Sequence, residues 1–231
     1  DLLKTKGLQV FVPQNWLGIN GIEPIQFQFS PDMPQTHKPK VRPVNAKLFA
    51  DTRAEWLRLL EYHLELCDSS FVSNLVVAPK ATKPFVRLCG DYVYVNKFIT
   101  AGYFIIPSIP HVLEKISTFS IYIDLDLVNA FHQLPLDEAT SRKLAIITPW
   151  GTARPKFLPE GVKPASEILQ RVVHELFEDF SDFLIYQFDN LLLLAHDYND
   201  AFIKLEKVLD RCIERNVFLK FSKSFIGYKK V

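Results

Sequence analysis

Glycine is sparse in this chain, 8 residues in 231 against 15 prolines. No cluster of glycines forms a loop able to cradle phosphates, which excludes the nucleotide-binding motifs built on such loops. The prolines favour ordered connections over flexible linkers. Cysteine is sparser still: Cys67, Cys89 and Cys212 are odd in number and far apart. No disulfide framework is therefore expected and a reducing compartment is favoured, and without any Cys-x-x-Cys or Cys/His spacing no zinc site is expected. Neither sign of charge dominates, with 27 basic and 26 acidic residues and a formal net charge of +1. That balance neither supports nor opposes a nucleic-acid partner, because a phosphate groove needs only local basic residues. Long apolar runs are missing as well. The longest, around Leu191 to Ala195, is far short of the ~20 residues that span a bilayer, so no membrane partner is expected. The first residues lack the basic and then apolar stretches of a secretory signal, and the expected setting is intracellular, cytoplasm or nucleus.

What is present is a globular composition, 48% hydrophobic and 23% charged, enough for one large domain or two small ones. Residues 1–50, rich in Pro, Gln and Asn and without periodicity, read as an extended arm or linker that lies on something else. DTRAEWLRLLEYHLEL predicts a helix with Trp56, Leu59, Leu60, His63 and Leu64 on one face, His63 as a core residue. Two β-rich runs flank ATKP and predict a hairpin whose tip carries Lys80, Lys83 and, just beyond, Arg87. ISTFSIYIDLDL reads as a strand and DEATSRKLAII as a short helix. PASEILQRVVHELFEDF and DYNDAFIKLEKVLDRCIERNV predict amphipathic helices, the second with Phe202, Leu205, Leu209 and Ile213 inward. Helices this few and irregular do not suit a doubly wound sheet. The expected class is α+β, a sheet with helices packed on one face.

The chemistry sits in carboxylates placed among apolar residues, where burial costs several kcal/mol unless something pairs with them. In FLIYQFDNLLLLAH, Asp189 and Asn190 separate two strand-like runs, and Asp-Asn is itself a tight-turn pair. In IYIDLDLVNAFHQ, strand alternation puts Asp124 and Asp126 on one face, with Ile123 and Leu125 opposite. Neighbouring carboxylates repel unless a cation lies between them, and three in two strand contexts suit Mg²⁺ (or Mn²⁺), which takes hard oxygen ligands. A turn at Asp189, an exposed Asp124 and a capping Asp126 are the plain structural alternatives.

Taken in order, these stretches resemble the fingers and palm of a reverse transcriptase of the long-terminal-repeat (gypsy-like) and retroviral type. VVAPKATKPFVRLCGDYVYVNK is similar to the fingers hairpin and IPSIPHVLEKISTFSIYIDLDLVNAFHQLPL to the first palm motif. TPWGTARPKFLPEGVKPASEILQ resembles the segment against nucleotide and template, and QFDNLLLLAH with the following helix and strand resembles the acidic hairpin. The resemblance implies a polymerase palm with a fingers subdomain and no thumb. It divides the chain into an arm (1–50), fingers (51–119), palm (120–136), fingers (137–158) and palm with the hairpin (159–231). It implies RNA-directed DNA polymerase activity, deoxynucleoside triphosphates, an RNA or DNA template–primer, and the remainder of a polyprotein (thumb, RNase H) or a larger assembly as partners.

Residue by residue, the resemblance assigns Asp126, the Leu127 carbonyl and Asp189 to the metal ions and Asn190 to the second position of the Tyr-x-Asp-Asp turn. Phe131 falls where an aromatic ring screens the sugar 2′ carbon. The backbone N–H groups of Asn129 and Ala130 face the triphosphate, Arg87 grips it, and Lys80 or Lys83 assists. Glu160 lies in the element under the nucleotide, and Lys220 matches a lysine able to protonate pyrophosphate. Three departures stand out. Gln187-Phe188-Asp189-Asn190 has an amide for the second aspartate, Glu160 replaces a glutamine, and the sequence stops near the strand expected to grip the primer. Asp124 is the candidate to supply the carboxylate that Asn190 lacks. Two other readings remain open: a degenerate reverse-transcriptase-like domain with a structural or binding role, and a palm-fold nucleotidyl cyclase, which the fingers segment and LPEG oppose.

Overall fold

Apolar β-branched and aromatic residues build the strands, and period-3.6 stripes build the helices, of a computed structural model that describes residues 2–11, 17–100 and 115–229. The stretch IPSIPHVLE, which opens the first palm-like motif, lies outside the described residues. In chain order the elements are α1 (Leu8–Phe11), α2 (Phe49–Tyr62), β1 (Leu64–Leu66), β2 (Ser73–Pro79) and β3 (Val86–Gly90). Next come β4 (Ile121–Asp126), α3 (Glu138–Lys143), β5 (Ile146–Thr148) and β6 (Gly151–Pro155). The chain ends with α4 (Ala165–Phe177), β7 (Leu184–Gln187), β8 (Asn190–Ala195), α5 (Tyr198–Glu214) and β9 (Phe225–Lys229). The class is α+β, as expected. Among the described residues no helix is long and apolar enough to cross a membrane.

The chain divides into two units that interleave along the sequence. The first gathers Asp1–Ile22, Tyr103–Gln133 and Ser166–Val231. Its antiparallel sheet runs β7-β8-β4-β9. Strands β4 and β8 supply its centre: Ile121, Tyr122, Ile123 and Leu125, with Leu191, Leu193, Leu194 and Ala195, are all buried. Each leucine removed from water there contributes roughly 1.5–3 kcal/mol, so the strands bearing the acidic residues are also the best anchored. Helix α5 packs on β8 and β4. Its buried stripe is Ala201, Leu205, Val208, Leu209 and Cys212. Phe202, expected inward, is 52% exposed, because the stripe starts one residue earlier and Phe202 lies about 100° round the helix from it. In α4 the expected face is buried throughout, from Ile168 to Phe177.

The second unit gathers Glu23–Gly102 and Leu134–Ala165 around the sheet β1-β6-β5-β2-β3. The basic hairpin forms as expected: β2 and β3 pair antiparallel, with Ala78 opposite Arg87. The helix expected to reach Leu66 ends at Tyr62, and Leu64–Leu66 is strand β1, paired with β6. There sheet partners for the backbone outweigh a local helical pattern. His63 is buried against Phe157, as a core histidine. The N-terminal stretch is less uniform than an extended arm. Leu3–Gly7 and α1 are helical, and buried Val10 accepts the Leu219 N–H at 3.1 Å. Residues 23–45 run mostly without regular structure, fixed by isolated bridges such as Phe29 to Ile99 and His37 to Phe71.

Candidate functional site

The acidic hairpin turns one residue earlier than expected. Gln187 pairs with Asn190, so Phe188 and Asp189 form the turn and Asn190 is the first residue of β8. Asn190 also pairs across to Asp126 in β4. Moving it into the turn would slip the register by one and turn every β8 side chain to the opposite face. The positive φ falls on Phe188, at 54°, an uncommon conformation for an aromatic residue. A fully buried amide supports it. Gln170 of α4 accepts the Phe188 N–H at 2.7 Å and donates to the Tyr186 carbonyl at 3.4 Å. The Asp189 carbonyl in turn accepts the Leu127 N–H at 2.7 Å. Two acidic stretches far apart in the chain therefore meet backbone to backbone.

Asp126 is only 7% exposed, and Lys223 Nζ lies 3.1 Å from its Oδ2. Lys220, the lysine singled out in the sequence, is exposed and gives Asp126 its backbone instead: its N–H donates to the Asp126 carbonyl at 2.7 Å. Asp124 shares the Asp126 face of β4 and is half-buried; burial first, and the charge of Asp126 second, raise its carboxyl pKa. Among the described residues no three His, Cys, Asp or Glu side chains form a group that could hold a metal ion. The trio of Asp124, Asp126 and Asp189 is thus not a preformed cage among the described residues, in keeping with the repulsion between neighbouring carboxylates. Past β4 the chain turns at Asn129, with φ 44°, into a short 3₁₀ turn, Ala130–Gln133. Asn129 is exposed, Ala130 buried and Phe131 half-buried. Buried Gln133 holds that turn, donating to the Val128 and Phe218 carbonyls at 2.8 and 2.9 Å and accepting the Phe218 N–H at 2.8 Å.

Within the second unit, Lys80, Lys83 and Arg87 are exposed on the basic hairpin. Arg87 is not a free cation: its Nη1 lies 3.2 Å from Glu160 Oε2. The Glu160 backbone is well fixed. Leu158 is fully buried with its N–H on the Leu134 carbonyl at 2.8 Å, and Gly161, at φ 89°, accepts from Asn96 Nδ2 at 2.9 Å. The sequence reading missed Gln170, Gln133 and Lys223. For Gln170 a faint signal existed, an amide seven residues before Phe177 and so near the apolar face of α4. Lys223 reads as one more solvated charge.

The family described as reverse transcriptase (RNA-dependent DNA polymerase) matches residues 80–231. The retrovirus-related Pol polyprotein from transposon 412 of Drosophila melanogaster is 28% identical over 176 residues, 70% of this chain and 14% of that protein. The enzymatic polyprotein of cauliflower mosaic virus (strain Strasbourg) is 25% identical over 145 residues, 63% of this chain and 21% of the polyprotein. This chain therefore spans a small part of the curated relatives it matches. A solved foamy viral protease–reverse transcriptase in complex with RNA/DNA hybrid superposes with a TM-score of 0.84 at 18% identity, over 97% of this chain and 30% of that one. The fold is that of the reverse transcriptase palm and fingers. With a family match over more than half its length, on a sheet whose two acidic stretches are joined strand to strand, the chain belongs to the reverse transcriptase family.

Proposed function

We propose that this chain is the fingers–palm core of a retroelement reverse transcriptase, adding deoxynucleotides to a primer 3′-hydroxyl under the direction of an RNA or DNA template. The observation that carries the reading is the bond from the Leu127 N–H to the Asp189 carbonyl, beside the Asp126–Asn190 pair. Mg²⁺ is usually held by one or two carboxylates plus substrate phosphates rather than by an all-protein cage. A buried carboxylate at Asp126, compensated by a lysine that is itself 55% exposed, fits that requirement. Asp126, Asp189, the Leu127 carbonyl and the Asn190 amide oxygen would hold Mg²⁺ or Mn²⁺, with Asp124 as a further carboxylate. Bound there, divalent ions would supply positive charge that activates the attacking hydroxyl and offsets charge on the leaving pyrophosphate.

The remaining assignments concern the nucleotide. Phe131 excludes a ribose 2′-hydroxyl by its bulk. The N–H groups of Asn129 and Ala130 receive phosphate oxygens, as anions prefer at a chain turn entering a helix. Arg87, with Lys80 or Lys83, takes the triphosphate, Glu160 lies beneath the nucleotide, and Lys220 supplies a proton to pyrophosphate. The rest of a polyprotein, thumb and RNase H included, completes the template–primer grip.

Primer extension on an RNA template with Mg²⁺ or Mn²⁺, in the polyprotein context, tests this. Extension by the wild type, lost at least a hundredfold in Asp126→Asn, is expected. Asp124→Asn should impair extension and shift its metal dependence; if it changes neither, Asp124 is no ligand. Asn190 favours a second reading, a retired polymerase domain with a structural or binding role, since an amide ligates a hard cation more weakly than a carboxylate. No extension with either ion, in protein that still unfolds cooperatively, would select that reading.

A further inference from the structure

We propose that Glu160 is a positioning residue that holds Arg87 in a latched state, so that an incoming triphosphate must displace a carboxylate before it can use that guanidinium. This rests on the nucleotide role proposed for Arg87. The pair is direct, Nη1 to Oε2 at 3.2 Å, with both side chains about half exposed at 57% and 44%. Both backbones are fixed independently of the pair: Arg87 lies in β3 opposite Ala78, and Glu160 sits between buried Leu158 and the Gly161–Asn96 hydrogen bond. The two ends therefore meet without an ordering cost for either chain segment. The carboxylate is an anionic occupant of an anion-binding group, so it acts against a polyphosphate twice. It holds one of the guanidinium's donors, and it adds negative charge where phosphate charge would arrive. An amide of the same shape at position 160 would remove the negative charge and hold the guanidinium only by a weaker, uncharged hydrogen bond.

Equilibrium binding of a deoxynucleoside triphosphate with a non-hydrolysable α,β bridge, measured on the full chain with template–primer and Mg²⁺, tests this. Glu160→Gln is expected to lower the dissociation constant about two- to fivefold, the range open to one exposed ion pair. Half-molar salt should shrink the gain, because screening weakens the latch in the wild type. Glu160→Asp, which keeps the charge, should show less of the gain, and Glu138→Gln, removing a surface carboxylate elsewhere in the unit, none. Arg87→Gln is expected to weaken binding and to reduce the gain from Glu160→Gln to the smaller part left by direct repulsion. If Glu160→Gln leaves affinity unchanged or lowers it while Arg87→Gln weakens binding, the latch is wrong and the reading of Arg87 stands. An equal gain in the Arg87→Gln background would also overturn the latch, leaving only direct repulsion of the nucleotide. If the wild type and both single variants bind no nucleotide, the reading of the site fails and the latch fails with it.

Discussion

Gln170 shows how much one side chain can decide at the acidic hairpin. Phe188 must hold a positive φ for Asp189 to present its carbonyl to Leu127, and the buried amide of Gln170 accepts the N–H that this turn would otherwise leave unpaired. Replacing it with leucine keeps the volume and removes the acceptor, leaving a backbone donor unsatisfied at a cost of about 1–3 kcal/mol. Divalent ions bound only to the folded form are expected to raise the melting temperature; Gln170→Leu should lower it and also diminish that rise at millimolar Mg²⁺, since the Asp189 turn is no longer held. A lowered melting temperature with an undiminished Mg²⁺ response would show that the amide serves stability alone. The acids themselves were legible because carboxylates among leucines and isoleucines need a reason to be there. Gln170 was not, because an amide beside an amphipathic stripe is ordinary. Lys223 was not either, since three residues from Lys220 nothing in the sequence says which ammonium reaches Asp126.

Among the elements, legibility follows how local the cause is. The α4 stripe and the β2–β3 hairpin are written in their own residues, and both formed as expected. The end of α2 and the exact turn of the β7–β8 hairpin depend on partners elsewhere: β6 claims Leu64–Leu66, and β4 claims Asn190. Helix α5 is anchored in a similarly non-local way. Arg211 donates to the Leu176 carbonyl at the end of α4, meets both oxygens of Asp179 at 3.0 and 2.7 Å, and lies 4.8 Å from the Phe180 ring centroid. Arg211→Ala should destabilise the protein by about 1–3 kcal/mol, from lost packing as much as lost charge. The hydrogen bond from Arg211 holds the Asp179 carboxyl below the usual carboxylate range. A depressed carboxylate pKa means stability that is present above the unfolded value of about 3.9 and lost as pH falls through the folded value. Because Asp179 is half exposed, solvent screening keeps this part small. The gap in melting temperature between wild type and Arg211→Ala should thus narrow slightly, without closing, as pH falls below about 4, and a gap constant from pH 7 to pH 3 would assign the whole effect to packing.

At the scale of the molecule, the chain enters the first unit, leaves it and returns twice. The compact units break at Ile22, Gly102, Gln133 and Ala165, places marked by contacts across the fold rather than by composition. The interleaving has an energetic consequence. Asp124, Asp126, Asp189, Asn190 and Lys223 all belong to the first unit, on or beside its β7-β8-β4-β9 sheet. A ligand that binds only the folded form stabilises whatever must stay folded to bind it. Divalent ions at these residues should therefore slow amide exchange in β4 and β8, and in the Phe188–Asp189 turn most, because the Phe188 N–H of that turn is held by a side chain, Gln170, rather than by a strand partner. Amides of β2 and β3, in the other unit, should change little. Hydrogen exchange with and without millimolar Mg²⁺ reads both at once, and Asp126→Asn should erase the difference in β4 and β8. Equal protection in the two units would instead mean that the ion acts on the whole surface, and the acidic hairpin would then be no metal site.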